Sequence, residues 1–526
     1  MGGRAEGAVV GFGGVAAAWP ERVALVEADG GVVTYGELER RVHRLSRALA
    51  RLGVRPGECV AAMLPNSRAF FELRLATGQS GLYFTPFSHH FTVPEVEHVL
   101  VDSAARVVVV DVGLVGVAGP ALDAAGVPRE RRVVWGGSAP GWVAYEELLA
   151  AEPAAPPAER RAGGVMLYTS GTTGRPKAVR RQLSAAPPGP SPYELDFMAR
   201  CGLGPGPFTQ LCAAPLYHAA PGLFANMALQ LGHTVVLAER PRTEDWLRLV
   251  DRYAVDFLFT VPTVLHRLLR LPAEVRERYD TSSLRAVVHG AAPCPEDVKR
   301  RAIDWFGPVL YEFYAATEGG VTAVDSAGWL ARPGTVGLPM ADVDIRVLDE
   351  DGRPLPAGET GGVYFRPVVP FAYHQDPDKT RRSMREGYFT AGDHGYLDAD
   401  GWLYLRDRRT DLIVSGGVNV YPAEVEAVLL AHPEVADAAV VGVPDEEWGQ
   451  RVGAVVRPEA GVDASDGLVE RLVAHCRGAL AGFKVPRVIE VRAEVPRSEA
   501  GKVLRREVRI GRGVPCAPRV PPGQVP

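Results

Sequence analysis

Short apolar strands that alternate with helical segments constrain the fold of this chain most strongly. Residues 107–110, Thr234–Leu237, Phe257–Thr260 and Ala286–His289 are brief runs rich in β-branched or aromatic side chains, and helical segments separate them. Such runs are typical of strands buried on both faces, and their alternation with helices is typical of layered, largely parallel sheets. The sequence therefore predicts an α/β fold.

Length and local composition predict more than one domain. A chain of 526 residues is too long for one ordinary domain. Residues 344–365, interrupted by Gly and Pro turns, predict an antiparallel β subdomain, and the charge cluster at 406–411 predicts a boundary. We expect a large N-terminal domain (1–407) of layered α/β sheets plus that β subdomain, and a small α+β C-terminal domain (408–526).

Charge and cysteine usage exclude several classes of protein. The net charge of −5 gives no field that attracts nucleic acid or an anionic membrane. Six cysteines without a Cys-x-x-Cys pair argue against a disulfide framework or a structural zinc site. Since the sequence has no apolar run of transmembrane length and only a weak match to a signal peptide, it predicts a cytoplasmic protein without an integral membrane segment.

The most informative segment follows a predicted strand at residues 165–168. Its composition is hydroxyl side chains, glycines, an arginine and a lysine, over residues 169–177. Glycines let backbone N–H groups approach an anion, hydroxyls donate hydrogen bonds and the cations neutralise charge. The spacing does not match a Walker motif. The segment predicts a binding loop for a polyphosphate.

Lysine usage separates two lysines from the rest. Only five of the 58 basic side chains are lysines. Where arginine is the usual cation, a lysine can be present for its compact ammonium group. Lys177 and Lys502 lie in Gly-rich segments and are candidates for such a role. We attribute Lys299 and Lys379 to chance.

The loop and several later segments resemble one family. Residues 167–179 resemble the phosphate-binding loop of the adenylate-forming superfamily, which contains acyl-CoA synthetases, luciferases and nonribosomal-peptide adenylation domains. The resemblance runs from Thr34 to Lys502, is closest to fatty-acyl-CoA-synthetase-like members, and includes, in the family's order, residues 215–218, 289–293, 311–320, 388–393, 407–411, 415–424 and 496–502. This resemblance implies that the C-terminal domain is mobile and rotates about a hinge.

The resemblance also implies site residues and cofactors. ATP, Mg²⁺ and coenzyme A are the implied cofactors, and Glu318 is the implied metal ligand. The implied catalytic residues are Lys502, His218 and Thr317. The implied nucleotide- and coenzyme-A-binding residues are Thr169, Ser170, Gly171, Thr172, Thr173, Gly174, Lys177, Gly290, Ala291, Ala292, Tyr314, Asp393, Arg408, Gly416 and Gly417.

The implied function is that of an AMP-forming acyl-CoA synthetase acting on a small-molecule carboxylic acid. Ala178 and Ala315 stand where the family usually has glycine, so an enzyme that mainly converts a supplied acyl-adenylate is one alternative. Loading of a carrier protein, a luciferase-like oxygenase and a catalytically silent binding protein are the others. Thr410 replaces the usual Asp or Lys at the hinge. A homodimer is left open.

Small residues after His218 predict room for an apolar acid. Ala219, Ala220 and Gly222 follow the histidine, and residues 261–265 are the expected pocket wall. Fatty acids and bulky polycyclic acids both remain alternatives on this pattern.

Overall fold

The computed structural model describes residues 9–169, 177–408, 411, 413–415, 418–445, 449–463, 466–498, 501–505, 507–508 and 510. Several predicted site residues therefore lie outside the described residues, namely Ser170, Gly171, Thr172, Thr173, Gly174, Gly416 and Gly417, as does Thr410 at the predicted hinge.

Strands β1 to β15 cover most of the large N-terminal domain. They are β1 (Val23–Val26), β2 (Val32–Thr34), β3 (Cys59–Met63), β4 (Tyr83–Pro86), β5 (Val107–Asp111), β6 (Arg132–Trp135), β7 (Val143–Ala144), β8 (Gly164–Val165), β9 (Leu167–Thr169), β10 (Lys177–Arg181), β11 (Thr209–Cys212), β12 (Thr234–Leu237), β13 (Phe257–Thr260), β14 (Ala286–His289) and β15 (Leu310–Ala316).

The later strands complete this domain and form the smaller C-terminal one. They are β16 (Gly319–Asp325), β17 (Leu338–Pro339), β18 (Ile345–Leu348), β19 (Gly361–Phe365), β20 (Phe371–Tyr373), β21 (Met384–Arg385), β22 (Tyr388–Phe389), β23 (Asp393–Leu397), β24 (Leu403–Arg408), β25 (Ile413–Ser415), β26 (Val418–Val420), β27 (Val435–Asp445), β28 (Gly449–Pro458) and β29 (Val488–Val491).

Helices lie between most of these strands. They are α1 (Phe12–Ala18), α2 (Tyr35–Arg51), α3 (Arg68–Gln79), α4 (Val93–Ser103), α5 (Val115–Ala124), α6 (Tyr145–Ala150), α7 (Pro192–Arg200), α8 (Ala219–Gln230), α9 (Thr243–Tyr253), α10 (Pro262–Leu269), α11 (Ala273–Arg276), α12 (Glu296–Phe306), α13 (Ser326–Ala331), α14 (Pro377–Ser383), α15 (Pro422–Ala431) and α16 (Asp466–Ala479).

Two large sheets organise the N-terminal domain, as the alternating pattern predicts. A six-stranded parallel sheet has the order β7-β6-β5-β3-β4-β8. A nine-stranded sheet has the order β17-β16-β15-β14-β13-β11-β12-β1-β2, with a parallel centre and antiparallel edges. The α/β prediction is confirmed.

Antiparallel pairs form the predicted β subdomain. Strand β18 pairs with β19 in antiparallel register, and β19 lies in the sheet β21-β22-β19-β23-β24. The next sheet, β26-β25-β28-β27 with β29 on β28, belongs to the small C-terminal domain. Sheet membership changes between Arg408 and Ile413. The exact division at residue 407 stays a prediction.

Local sequence signals explain helix α2. The side chain of Thr34 accepts a hydrogen bond from the backbone N–H of Glu37, and the Glu37 side chain accepts one from the N–H of Thr34. This reciprocal pair satisfies donors that a helix start otherwise leaves free. Leu38, Leu45 and Leu49 share the buried face of the helix.

One predicted strand is wrong in an informative way. Residues 165–168 do not form a single strand, because β8 pairs with β4 in the six-stranded sheet and β9 pairs with β10 in a separate three-stranded sheet. A side chain on Gly163 would lie 2.3 Å from the carbonyl oxygen of Thr77, so glycine permits the close entry into the first sheet. The chain then changes sheet at the buried Met166.

The state of the cysteines and the length of the helices bear on two of the classes considered from composition. The five cysteines in the described part of the chain, Cys59, Cys201, Cys212, Cys294 and Cys476, are free thiols. Within the described residues, none of the helices is both long and apolar enough to span a bilayer.

Candidate active site

The turn after β14 lies against the next strand. A side chain on Gly290 would lie 2.6 Å from the backbone oxygen of Phe313 and 2.9 Å from its ring, so this approach requires glycine. Ala291 then adopts a left-handed backbone with φ of 67°, which is uncommon for a residue with a side chain. Such backbone strain persists where surrounding structure enforces it, often at functional sites.

The hairpin of β15 and β16 brings together residues predicted to bind the nucleoside. The hydroxyl of Tyr314 donates a hydrogen bond to Oδ2 of Asp393 at 2.6 Å. Asp393, which is largely buried, is the backbone partner of Arg408 across β23 and β24. The structure describes the backbone of Arg408 and not its side chain. Three predicted residues thus occupy adjacent positions, and Ala315 next to Tyr314 is exposed.

Glu318, at the turn of this hairpin, is held by a residue that the sequence analysis did not identify. The hydroxyl of Tyr373 donates a hydrogen bond to Oε1 of Glu318 at 2.5 Å. The ammonium of Lys379 lies 3.5 Å above the Tyr373 ring, and burial lowers the pKa of this lysine. A carboxylate offers about four lone-pair positions, so Glu318 keeps capacity for a hard cation such as Mg²⁺.

The predicted phosphate loop is flanked by two strands that pair with each other. Lys177 is the backbone partner of Thr169 across β9 and β10, so the strands bring the two ends of the loop together. Nζ of Lys177 lies 2.5 Å from Oδ2 of Asp376. This hydrogen bond, with that from the backbone N–H of Lys379, holds the pKa of Asp376 below its ordinary value. Asp376 was also not identified from the sequence.

Strand β10, which follows the predicted phosphate loop, makes one contact with the core and one with the hairpin of β15 and β16. The side chain of Ala178 packs in a buried cluster with Cys59, Tyr83 and Met166. Its methyl group therefore points into the core. Across the site, Arg181 donates a hydrogen bond to the backbone oxygen of Thr317 at 2.9 Å.

His218 occupies the N-cap position of α8, where an asparagine anchors the preceding segment. Asn66 accepts a hydrogen bond from the N–H of Leu216 at 2.9 Å and donates to the oxygen of Ala214 at 3.0 Å.

The expectation that Gly222 provides pocket space is wrong. A side chain there would lie 2.6 Å from the oxygen of Leu216, so this glycine allows backbone packing.

The Lys502 loop contacts the large domain. Gly501 has a φ of 72°, and a side chain on it would lie 3.0 Å from Cγ2 of Val261, in the segment expected to line the acid pocket. Arg497 forms the loop's anchor, because its guanidinium binds Asp437 at 2.7 Å and the oxygen of Gly501 at 2.6 Å. Bidentate pairs of this kind fix orientation as well as position. Lys502 is thereby held at the domain boundary.

A buried ion pair between helix α12 and strand β15 corrects our interpretation of Lys299. This lysine is fully buried, and its Nζ lies 2.6 Å from Oε2 of Glu312. Its ammonium also lies 4.9 Å from the ring of Trp329. Burial, together with the Lys299 charge, holds the pKa of His289 well below its ordinary value. Chance therefore does not account for Lys299, and Lys379 likewise has a defined contact.

Comparison with known proteins identifies the family. The model of the AMP-binding enzyme family matches residues 13–368, and that of the AMP-binding enzyme C-terminal domain matches residues 424–502. The chain belongs to the AMP-binding enzyme family. The predicted adenylate-forming superfamily is thus confirmed, and this AMP-binding enzyme is an AMP-forming ligase by family.

Similar proteins differ in the product that they form. A feruloyl-CoA synthase of an Amycolatopsis species is 35% identical over 505 residues, which cover 93% of this AMP-binding enzyme and 98% of the relative. The fatty acid–[acyl-carrier-protein] ligase ScoC of Streptomyces coeruleorubidus is 32% identical, with 91% and 92% covered. The amide bond synthetase McbA from Marinactinospora thermotolerans has a similar structure, with a TM-score of 0.78, 30% identity, and 93% and 96% covered.

Proposed function

We propose that this enzyme joins a carboxylic acid to coenzyme A in two steps. A carboxylate oxygen attacks the α-phosphorus of ATP, and the P–O bond to pyrophosphate breaks. The thiol sulfur of coenzyme A then attacks the acyl carbon, the C–O bond to AMP breaks, and the thiol proton is released. No covalent enzyme intermediate is needed, so catalysis rests on positioning and charge stabilisation.

One observation carries the proposal. A single segment, residues 373–379, contacts both Glu318 and Lys177 through Tyr373 and Asp376, and so joins a metal-binding carboxylate to a phosphate-binding cation. This charged group adjoins the hairpin that bears Tyr314, which contacts Asp393. The arrangement supports binding of a nucleoside and its phosphates side by side.

Each residue has a proposed role in this scheme. Lys502 bridges the substrate carboxylate and the α-phosphate, Thr317 donates to the phosphate and His218 borders the adenylate. Residues 169–174 and Lys177 hold the polyphosphate. The remaining nucleotide and coenzyme A contacts are assigned to Gly290, Ala291, Ala292, Tyr314, Asp393, Arg408, Gly416 and Gly417. Glu318 would hold Mg²⁺, which when bound neutralises phosphate charge.

A second candidate is an enzyme that mainly converts a supplied acyl-adenylate. Its motive was that methyl groups at Ala178 and Ala315 would crowd ATP. The methyl of Ala178 lies in a buried cluster with Cys59, Tyr83 and Met166, which removes the motive at this position and favours an enzyme that carries out both half-reactions. Ala315 is exposed beside Tyr314, and its position does not decide between the two candidates.

Acid-dependent ATP–pyrophosphate exchange tests the first step, with benzoic, cinnamic, hexanoic and dodecanoic acids as probes. Coenzyme A, a phosphopantetheinyl carrier protein and an amine are then compared as acceptors. We expect exchange with at least one acid and product with coenzyme A. If product forms only with the carrier protein or the amine, the proposal that coenzyme A is the acceptor is contradicted. Conversion of a supplied adenylate without exchange would favour the second candidate.

Glu318→Gln is expected to raise the Mg²⁺ concentration for half-maximal exchange by on the order of 10- to 100-fold, as loss of a metal-site contact does. The neutral amide keeps an oxygen for Tyr373, so the melting temperature should change little. Asp378→Asn is the matched control, because Asp378 is an exposed carboxylate paired with Arg381 on α14. An unchanged Mg²⁺ titration would exclude Glu318 as the ligand.

Arg270→Met tests whether the observed domain contact favours the first step. Arg270, which follows α10, donates to the oxygens of Pro433 and Val435 and pairs with Glu459. A contact that the two domains make in only one of their relative orientations stabilises that orientation. We therefore expect the rate of exchange, relative to conversion of a supplied adenylate, to fall by roughly 3- to 10-fold, corresponding to about 1 kcal/mol of differential stabilisation.

The control for this prediction is Arg278→Ala. Arg278 forms an exposed pair with Glu244 inside the large domain, so its loss should leave the ratio of the two half-reactions unchanged. If Arg270→Met changes the rates of both half-reactions equally, this contact does not favour the domain orientation of the first half-reaction over that of the second.

A further inference from the structure

A cleft of about 740 Å³ lies between helix α10 of the large domain and the small C-terminal domain. None of the described residues assigned to the nucleotide site lines it. Four arginines do, and they are Arg267 and Arg270 from the large domain and Arg457 and Arg497 from the small one. Because both domains supply walls and cations, the cleft exists only in the observed relative orientation of the domains.

Two of these arginines have carboxylate partners. Arg497 lies 2.7 Å from Asp437, and Arg270 lies 2.5 Å from Glu459. The guanidinium of Arg270 also lies 3.1 Å from Nε2 of His266. Burial, together with the charge of Arg270, lowers the pKa of His266 to about 4, so the ring is neutral at pH 7 and accepts this hydrogen bond. These contacts fix two guanidinium groups in the walls of the cleft.

The other two arginines form no ion pair with any of the described residues. Arg457 lies directly opposite Asp437 in the ladder of β27 and β28, so the two side chains leave the sheet on the same face. Asp437 nevertheless pairs with Arg497. Burial, and then the charges of Arg457 and Arg497, hold the pKa of Arg267 below its ordinary value, although Asp437 opposes this effect. Three guanidinium groups are therefore close enough to repel one another across the domain boundary.

The remaining carboxylates of the cleft do not neutralise these charges. Glu494 and Glu507 line the cleft, and both are exposed. Neither is among the charges that shift the pKa of Arg267 or Arg270. In the described part of the chain, neither forms an ion pair with an arginine of the cleft. The cleft thus has two unpaired guanidinium groups, one from each domain.

We propose that the cleft binds a phosphate dianion, free or as the phosphomonoester end of a small molecule, between Arg267 and Arg457. The tetrahedral oxygens of phosphate point in several directions, so guanidinium groups from both domains can donate to it at once. The bound dianion also removes the repulsion between these cations. A single carboxylate has only two oxygens in one plane and satisfies cations on two sides less well.

The position of the cleft gives the bound phosphate a regulatory effect. A ligand that contacts both domains in only one orientation stabilises that orientation. Arg497, in the wall of the cleft, also anchors the loop of Lys502, which the proposed function assigns to the first half-reaction. Phosphate should therefore favour adenylation over thioester formation. The binding site does not rest on the proposed function, whereas this effect on the half-reactions does.

Calorimetry at constant ionic strength tests the site without any chemistry, with inorganic phosphate, glycerol 3-phosphate and malonate as probes and AMP present to fill the nucleotide site. We expect a dissociation constant of about 1 mM or below for at least one of the two phosphates. Tighter binding of glycerol 3-phosphate would identify an organic phosphate as the ligand, and equal binding would show that free phosphate suffices. Absence of binding, or tighter binding of malonate, would overturn the proposal.

Variants locate the bound phosphate. Arg267→Met and Arg457→Met should each weaken binding by about tenfold, as loss of a hydrogen bond between charged groups does. Neither arginine has an ion pair to lose, so the melting temperature should change little. Arg200→Met is the matched control, because Arg200 is an exposed arginine that pairs with Asp196 on α7. Loss of binding in Lys177→Met, with binding retained in both cleft variants, would place the phosphate at the predicted phosphate loop and overturn the proposal.

The effect on orientation is measured on thioester formation from a supplied acyl-adenylate, at a coenzyme A concentration below its KM. Saturating phosphate should slow this half-reaction by roughly threefold in the wild-type enzyme, as a shift between two domain orientations does, and not in Arg267→Met or Arg457→Met. Equal inhibition of these variants would overturn the regulatory effect. If coenzyme A accepts no acyl group at all, the proposed function is wrong, and the calorimetry still decides whether the cleft binds phosphate.

Discussion

Lys502→Ala should abolish most adenylate formation and leave thioester formation from a supplied acyl-adenylate nearly intact. In the proposed scheme the lysine charge is needed where two anions, the carboxylate and the α-phosphate, approach each other. Removing one preorganised donor of developing charge costs on the order of 100- to 1,000-fold in rate. We expect a loss of that size in ATP–pyrophosphate exchange, and a change below about threefold in the second half-reaction.

The structure offers a control in the same domain. Arg471 is a half-exposed cation on α16 that pairs with Glu434, so Arg471→Ala removes a surface charge of the same domain that is not part of the Lys502 loop. It should leave both half-reactions unchanged. A further variant, Arg497→Met, keeps Lys502 but removes the anchor of its loop, and should reduce exchange with the same selectivity. Equal losses in both half-reactions of Lys502→Ala would contradict the assigned role.

Lys299→Met should destabilise the large domain more than any surface substitution. The change leaves the carboxylate of Glu312 buried without its partner at 2.6 Å. Breaking a buried ion pair on one side costs about 3–5 kcal/mol, because the remaining charge is uncompensated. We expect an apparent loss of that size in the free energy of unfolding, measured by urea titration.

Two comparisons isolate the buried charge as the cause. Lys299→Met combined with Glu312→Leu removes both charges and should recover most of the loss, since apolar replacement of a buried pair is often neutral. Arg301→Ala breaks an exposed pair with Asp297 on the same helix and should cost less than about 1 kcal/mol. A double variant as unstable as the single one would instead indicate a packing defect.

The parts of the fold that sequence predicts well are those set by local chemistry. Thr34 and Glu37 form a capping box that needs only four consecutive residues, and α2 starts directly after Thr34. The four-residue run Phe257–Thr260 is β13 without change. The prediction of a single strand at 165–168 was wrong, because the division at Met166 depends on the close approach of Gly163 to the carbonyl group of Thr77, which is distant in the chain.

The site divides in the same way. Segments with a family pattern, such as those of Tyr314 and Lys502, could be recognised, but the residues that position them could not. Tyr373 ends β20 and Asp376 caps the start of α14, and both act through partners far away in the chain. Lys299 could have been found, because Val298, Ala302 and Ile303 define a buried helix face on which it also lies. The helical periodicity of these apolar residues contained that signal, and the attribution of Lys299 to chance overlooked it.

The scarcity of lysine has an experimental consequence. The five lysine side-chain amines lie in five distinct environments: a predicted phosphate loop, a sealed core, an aromatic face, a surface ion pair and a domain boundary. Acylation by an amine-selective reagent, read by mass spectrometry, would resolve each as a separate signal. Labelling at Lys299 would report opening of the core, Lys177 would report occupancy of the loop, and Lys502 would report the orientation of the small domain. The chain thus contains its own set of footprinting reporters, and no residue needs to be introduced.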